Sequence, residues 1–230
     1  MHNQTIIVVW EGVEGAGKTT LLKKTSEILE SMNLKTISYK TPSDTPTGVF
    51  AKKYGNRLEI DHLTRMLLFL ANTSDDSARM KKDIELNNPD YYFIDRYYLC
   101  SIVYGFALSR SRGEDVGEIE LIQMINLIEK AGSKILLKPD IYVIVDVVEE
   151  DRRRRLEGRG EQKSIVSMED VIEQDTTLQD FVRGFYRVLY ETGKMRLIWI
   201  ENVEGRLEEA AWKVVNELLE LRKSYITSLS

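Results

Sequence analysis

Gly12-Val13-Glu14-Gly15-Ala16-Gly17-Lys18-Thr19 matches G-x-x-x-x-G-K-[ST] at every fixed position. An apolar run at 5–10 precedes it, and a helical stretch with Thr20, Leu21, Leu22 and Lys23 follows. The glycines let the backbone curl so that successive N–H groups face phosphate oxygens, and the helix N-terminus adds partial positive charge. Lys18 is placed to reach the β- and γ-phosphates, and the Thr19 hydroxyl to ligate Mg²⁺. The loop therefore predicts binding of a nucleoside triphosphate with magnesium, through Glu14, Gly15, Ala16, Gly17, Lys18, Thr19 and Thr20.

Around this loop, short apolar runs recur at 35–39, 91–94, 141–147 and 197–200. They are continuous rather than alternating, as in strands buried on both faces of a parallel sheet. Helical stretches separate them at 19–31, 57–87 (broken near 72–75), 99–109, 117–131, 149–157, 168–191 and 206–223. Alternating strand and helix predict a three-layer α/β/α, doubly wound parallel sheet of about five strands, with ligands at the strands' carboxyl ends. Residues 1–230 read as one domain, without repeat, low-complexity tract or linker.

The chain has 230 residues, a formal net charge of −5 and 43% hydrophobic residues. The acidic balance argues against nucleic acid as a partner. No apolar stretch reaches the ~20 residues of a membrane span, and the N-terminus lacks a signal-peptide pattern. Cys100 is the single cysteine, so an internal disulfide is impossible and a zinc cluster is disfavoured. These features predict a cytoplasmic protein.

The loop alone does not name a reaction. No N-K-x-D stretch for guanine is present, which argues against a GTPase. The run ending at Asp95 is followed by Arg96 rather than Glu, which disfavours an ATPase with a strand-end glutamate base. Asp95 at that strand end is well placed to reach the magnesium shell.

With Asp95-Arg96-Tyr97 added to the loop, the sequence resembles the thymidylate kinases, a P-loop nucleoside monophosphate kinase family. Glu11 to Thr20 is similar to F-E-G-x-[DE]-G-x-G-K-[ST]-T, with Trp10 in place of Phe. Met66-Leu67-Leu68-Phe69-Leu70-Ala71 resembles L-L-F-x-A. Asp95-Arg96-Tyr97 with Tyr104 resembles D-R-[YH]…A-[YF], Pro139-Asp140-Ile141 to Asp146 resembles P-D-x…L-D-V, and Val182…Tyr186 resembles V-x-x-x-Y.

The resemblance implies transfer of a phosphoryl group from ATP·Mg²⁺ to dTMP, giving dTDP. Lys18, Arg96 and Arg159 would spread the charge of the group in flight, and Asp95 would organise magnesium and the acceptor phosphate. Glu14 would lie near the sugar 3′-hydroxyl, Phe69 would stack on thymine, and Tyr104 would pack against base or sugar. Arg155 and Arg159 fall where the family's lid arginines lie, in a lid at roughly 152–168. Gly15 has no side chain, so the lid must supply the catalytic arginine. The family also implies a homodimer.

Two positions depart from the pattern. Lys40 stands where the family has an arginine for the monophosphate, and lysine cannot grip phosphate bidentately. Thr73 stands where an arginine contacts phosphate and base, leaving Arg65, Arg79 or Lys81 as compensating candidates. These departures keep two alternatives open: a monophosphate kinase of broader or shifted specificity, or a non-catalytic nucleotide-binding paralogue. In the run Arg152-Arg153-Arg154-Arg155, the first two are expected on a solvated helix face.

Overall fold

A computed structural model describes residues 4–157 and 167–228. Five parallel strands form one sheet: β1 (Ile6–Gly12), β2 (Thr36–Lys40), β3 (Tyr91–Asp95), β4 (Ile141–Asp146) and β5 (Leu197–Glu201), in the order β2-β3-β1-β4-β5. The helices are α1 (Lys18–Ser31), α2 (Pro46–Gly55), α3 (His62–Asn87), α4 (Tyr98–Ser111), α5 (Glu118–Ala131), α6 (Glu149–Glu157), α7 (Met168–Gln174), α8 (Thr176–Thr192) and α9 (Leu207–Ser228). No helix among the described residues is long and apolar enough to cross a membrane.

The continuous apolar runs follow from position in the sheet. Every residue of the inner strands β3 and β4 is buried, whereas the outer strands β2 and β5 are partly exposed. Two adjacent tyrosines report the layers on either side. Tyr91 Oη donates to the Leu218 carbonyl of α9, and Tyr92 Oη donates to Asp83 of α3. Successive side chains of a strand point to opposite faces, so α9 and α3 cover opposite faces of the sheet. The doubly wound α/β fold expected from the sequence is present.

β1 lies between β3 and β4, so chain order reverses beside it. Such a switch point opens a crevice at the carboxyl ends of the strands. Register places Trp10 opposite Asp95 and Gly12 opposite Val145. At Gly12 a Cβ would sit 2.0 Å from the Val145 carbonyl oxygen, so only glycine fits where β1 turns into the loop.

The helix boundaries correct the sequence reading in three places. The stretch 57–87 is not broken near 72–75; α3 runs unbroken from His62, with Asp61 accepting the Thr64 N–H at 2.7 Å as its cap. Asn72, Thr73, Asp76 and Ser77 in its middle face inward. Asp76 accepts from Tyr39 and Ser43, while Thr73 and Ser77 hydroxyls return to carbonyls one turn back. Helix α2, absent from the sequence reading, begins where Thr45 accepts the Gly48 N–H and Pro46 occupies the first turn. Stretch 168–191 divides at Asp175, whose carboxylate accepts the Leu178 N–H at 3.0 Å and starts α8.

Arg152 also departs from expectation: it is buried, not solvated. Its guanidinium pairs with Glu149 at 2.7 Å and donates to the Glu173 carbonyl at 2.8 Å, tying α6 to α7. Arg153 does lie exposed, paired with Glu149 one turn away. Arg159 and most of the expected lid lie outside the described residues.

Candidate active site

The carboxyl ends of β1, β2 and β3 open into a cleft of about 990 Å³. Glu14, Gly15, Gly17, Lys18, Thr19, Thr20, Lys40, Phe69, Asp95, Arg96 and Tyr104 all line it. Ala16 is buried behind the loop; its carbonyl accepts from Asn202 Nδ2 at 2.7 Å and Arg155 at 3.1 Å. Arg155 also donates to the Asn202 carbonyl at 2.7 Å, so it braces the loop from behind.

The loop curls around Lys18. Its Nζ donates to the carbonyls of Gly12 at 3.1 Å and Val13 at 2.7 Å. Burial, followed by the repulsion of Arg96, lowers the Lys18 pKa to about 8, although Glu14 and Asp95 pull the other way. Gly17 starts α1 in the left-handed region at φ 82°, and a Cβ there would meet Asn202 Nδ2 at 2.6 Å. Glu14 N–H donates to Gln179 at 2.9 Å, while Gln179 Nε2 donates to the Ile172 carbonyl. Loop, α7 and α8 are therefore joined through one buried amide.

The end of β3 meets this loop. Thr19 Oγ1 donates to Asp95 Oδ2 at 2.7 Å. The next residue, Arg96, holds a left-handed backbone at φ 70°, which for a non-glycine residue costs on the order of 1 kcal/mol or more. Hydrogen bonds on both sides fix it: its N–H donates to the Trp10 carbonyl, and its carbonyl accepts from Thr41. That conformation turns the guanidinium back to the loop, where it pairs with Glu14 and donates to Cys100 Sγ at 3.2 Å. Burial opposes the cation, yet Glu14 and its neighbours hold it well above its ordinary pKa.

Beneath these charges sits Glu11, fully buried at the end of β1. Its Oε1 accepts the N–H groups of Tyr97 and Cys100 at the start of α4, and its Oε2 accepts from Tyr186 of α8. Burial raises its pKa to about 7, with the Tyr97 N–H and Arg96 working against the rise. Tyr104 donates to the Gly12 carbonyl at 3.3 Å and lies under Arg96, 5.8 Å from ring centroid to guanidinium.

Across the cleft, Phe69 projects from α3 with Arg65 stacked 4.7 Å from its centroid. Of the three candidates for the absent arginine at 73, Arg65 and Arg79 line the cleft, while Lys81 donates to the Lys134 carbonyl elsewhere. Glu11, Gln179 and Asn202 were not predicted in these roles. Glu11 carries a signal, as a carboxylate inside an otherwise apolar strand, and Asn202 carries one in its place just after the last strand, at the ligand edge. Gln179 is brought to the loop by chain packing alone.

A family model described as thymidylate kinase matches residues 10–210. A thymidylate kinase of Caldicellulosiruptor saccharolyticus is 30% identical over 224 residues, which span 94% of this chain and 98% of that protein. A "Probable thymidylate kinase" of Thermococcus gammatolerans is 29% identical over 213 residues, spanning 89% and 91% of the two chains. A thymidylate kinase of Trichormus variabilis is 29% identical over 219 residues, spanning 92% and 94%.

Proposed function

The chain belongs to the thymidylate kinase family, and on that premise we propose that it transfers the γ-phosphoryl group of ATP to dTMP, giving dTDP and ADP. One observation carries the reading: the phosphate loop, Asp95 and Arg96 meet at one edge of the sheet, facing Phe69 across a single cleft.

The acceptor is a phosphate monoester with a second pKa of about 6, so it is largely ionised at pH 7. The protein then needs position and positive charge more than a strong base. Lys18 leaves its two loop carbonyls for phosphate oxygens. Arg96, held in place by its backbone, sets a guanidinium between donor and acceptor, and Lys40 neutralises the acceptor phosphate. Glu14 holds Arg96 and lies near the sugar hydroxyl, Phe69 stacks on the base, and Tyr104 packs beneath it.

Thr19 Oγ1 and Asp95 Oδ2, 2.7 Å apart, form the hard-oxygen donor set that suits Mg²⁺. In this reading they would hold the ion, which would supply positive charge for the phosphates. Arg155 and Arg159 belong to a lid at roughly 152–168 in a one-domain protein, with Arg159 supplying the catalytic charge that Gly15 lacks.

We also infer a homodimer in the cytoplasm. Val49 and Phe50 of α2 and Leu63 and Leu67 of α3, two helices packed on each other, expose apolar side chains, and the lone cysteine suits a reducing compartment.

The test is steady-state turnover with ATP·Mg²⁺ against dTMP and a panel of other monophosphates. dTMP is expected to give the highest kcat/KM. Absence of ADP formation with dTMP would overturn the reading.

A further inference from the structure

We infer that Arg65 is the residue that reads the base of the acceptor, donating to a carbonyl on its edge and so favouring keto over amino pyrimidines. The inference rests on the proposed reaction and concerns a position on α3, outside the phosphate loop and the Asp95-Arg96 segment.

Residues 65, 69 and 73 fall on one stripe of α3, one turn apart. An arginine at 65 or at 73 therefore flanks Phe69 from one side or the other. Thr73 is committed elsewhere, since its hydroxyl donates to the Phe69 carbonyl at 2.9 Å. Helical side chains lean toward the N-terminus, so Phe69 leans back over Arg65 and the guanidinium lies 4.7 Å from its ring. One edge of the Phe69 ring is also packed against Gly55, where a Cβ would lie 2.8 Å from the ring. The ring is thus held, and the guanidinium is set beside it.

The Arg65 guanidinium is poorly satisfied where it stands. Its Nε is buried without an acceptor, and Arg65 makes no ion pair among the described residues. Burial lowers its pKa to about 10, with Glu169 among the groups acting the other way, so it remains a cation at neutral pH. A buried N–H without a partner is costly; the two Nη groups are not buried and have no hydrogen-bond partner among the described residues, so they are the donors an entering acceptor oxygen can meet.

Location selects the kind of acceptor. Lys18, Lys40 and Arg96 serve the phosphate end, beside Asp95 and the loop. Arg65 shares its part of the cleft with the aromatic rings of Phe69 and Tyr104 and with Cys100, while Glu169 and Arg96 are the charged groups acting on it; the rings suit a base. An N–H there donates to the 4-carbonyl of thymine and opposes the 4-amino group of cytosine, which is itself a donor.

The test compares wild type with Arg65→Met and Arg65→Lys, measuring KM and kcat for dTMP and dCMP and the dissociation constant of dTMP. Arg65→Met keeps an apolar stem against Phe69 but removes the donors. It is expected to raise KM and Kd for dTMP by roughly 10–100-fold, the factor for a hydrogen bond from a charged group, with kcat within a few-fold. The dTMP-over-dCMP ratio of kcat/KM should fall by at least ~10-fold, and Arg65→Lys should recover part of it. An unchanged ratio, or equal losses on both substrates, would overturn the assignment. Failure of the proposed reaction is separate: wild type itself would then form no ADP with dTMP, while dTMP binding would still report on Arg65.

Discussion

The Thr19 hydroxyl donates to Asp95 Oδ2 at 2.7 Å, joining the first turn of α1 to the end of β3. Two segments 76 residues apart in sequence thereby present their oxygens at one point. Asp95→Asn keeps the shape but removes the charge. It is expected to lower kcat by about 10²-fold or more, as for loss of one preorganised electrostatic group. ATP affinity without Mg²⁺ should change little, and the Mg²⁺ concentration for half-maximal rate should rise. Magnesium titrations of both proteins check this, and equal half-maximal concentrations would remove Asp95 from the metal site.

Lys18 predicts a proton linked to nucleotide binding. In the free protein its pKa is lowered to about 8, chiefly by burial. Phosphate oxygens favour the cation and raise that pKa again. At pH 8.5 ATP binding should therefore take up a proton, and ATP affinity should weaken as pH climbs above about 8. Calorimetry in buffers of different ionisation enthalpy measures the uptake. The stability sign follows from the same numbers. The folded lysine loses its proton near 8 and an ordinary one near 10.5, so this group makes the free protein more stable as pH rises through that window.

Glu11 predicts the opposite slope. Its folded pKa is raised from 4.5 to about 7, so between those values the folded state binds more protons than the unfolded state. The contribution of this group is present below 4.5 and is lost as pH rises to 7, by up to roughly 3 kcal/mol. Glu11→Gln should flatten this part of the stability profile. Urea denaturation at pH 5, 6 and 7 compares the two slopes; parallel curves would show that Glu11 does not titrate there.

Asn202 should matter to the loop although it is remote in sequence. Its Nδ2 donates to the buried Ala16 carbonyl at 2.7 Å, and its own carbonyl accepts from Arg155. Asn202→Ala leaves the Ala16 carbonyl with Arg155 as its remaining partner, with an expected cost of about 0.5–1.5 kcal/mol for the lost hydrogen bond and a higher KM for ATP. Thermal unfolding together with ATP kinetics tests it. A change in KM for dTMP alone would place Asn202 on the wrong side of the cleft.

Gly17→Ala should be worse. It forces a Cβ to within 2.6 Å of Asn202 Nδ2 at φ 82°, so both steric and backbone terms oppose it. ATP binding should be lost more completely than in Asn202→Ala, and pairing Gly17→Ala with Asn202→Gly should restore part of it by removing the clash. Equilibrium titration with ATP reads both variants.

By itself the sequence determined the α/β architecture and the phosphate loop. Both are written in local terms: continuous apolar runs for buried strands, and glycines where the backbone must curl or approach closely. It also marked Asp95 and Arg96 as neighbours at a strand end. Helix ends were less legible, because caps such as Thr45, Asp61 and Asp175 compete with periodicity, and because the polar residues in the middle of α3 are buried against the segment after β2 rather than breaking the helix. Tertiary structure alone decided how the site is held. Arg152 became a buried link, Gln179 and Asn202 became supports of the loop, and Arg65 came to lie over Phe69 with an unpaired N–H. The reason is physical: a polar side chain's role depends on which partner reaches it, and these partners come from distant segments or from unsatisfied hydrogen-bonding capacity that no local pattern records.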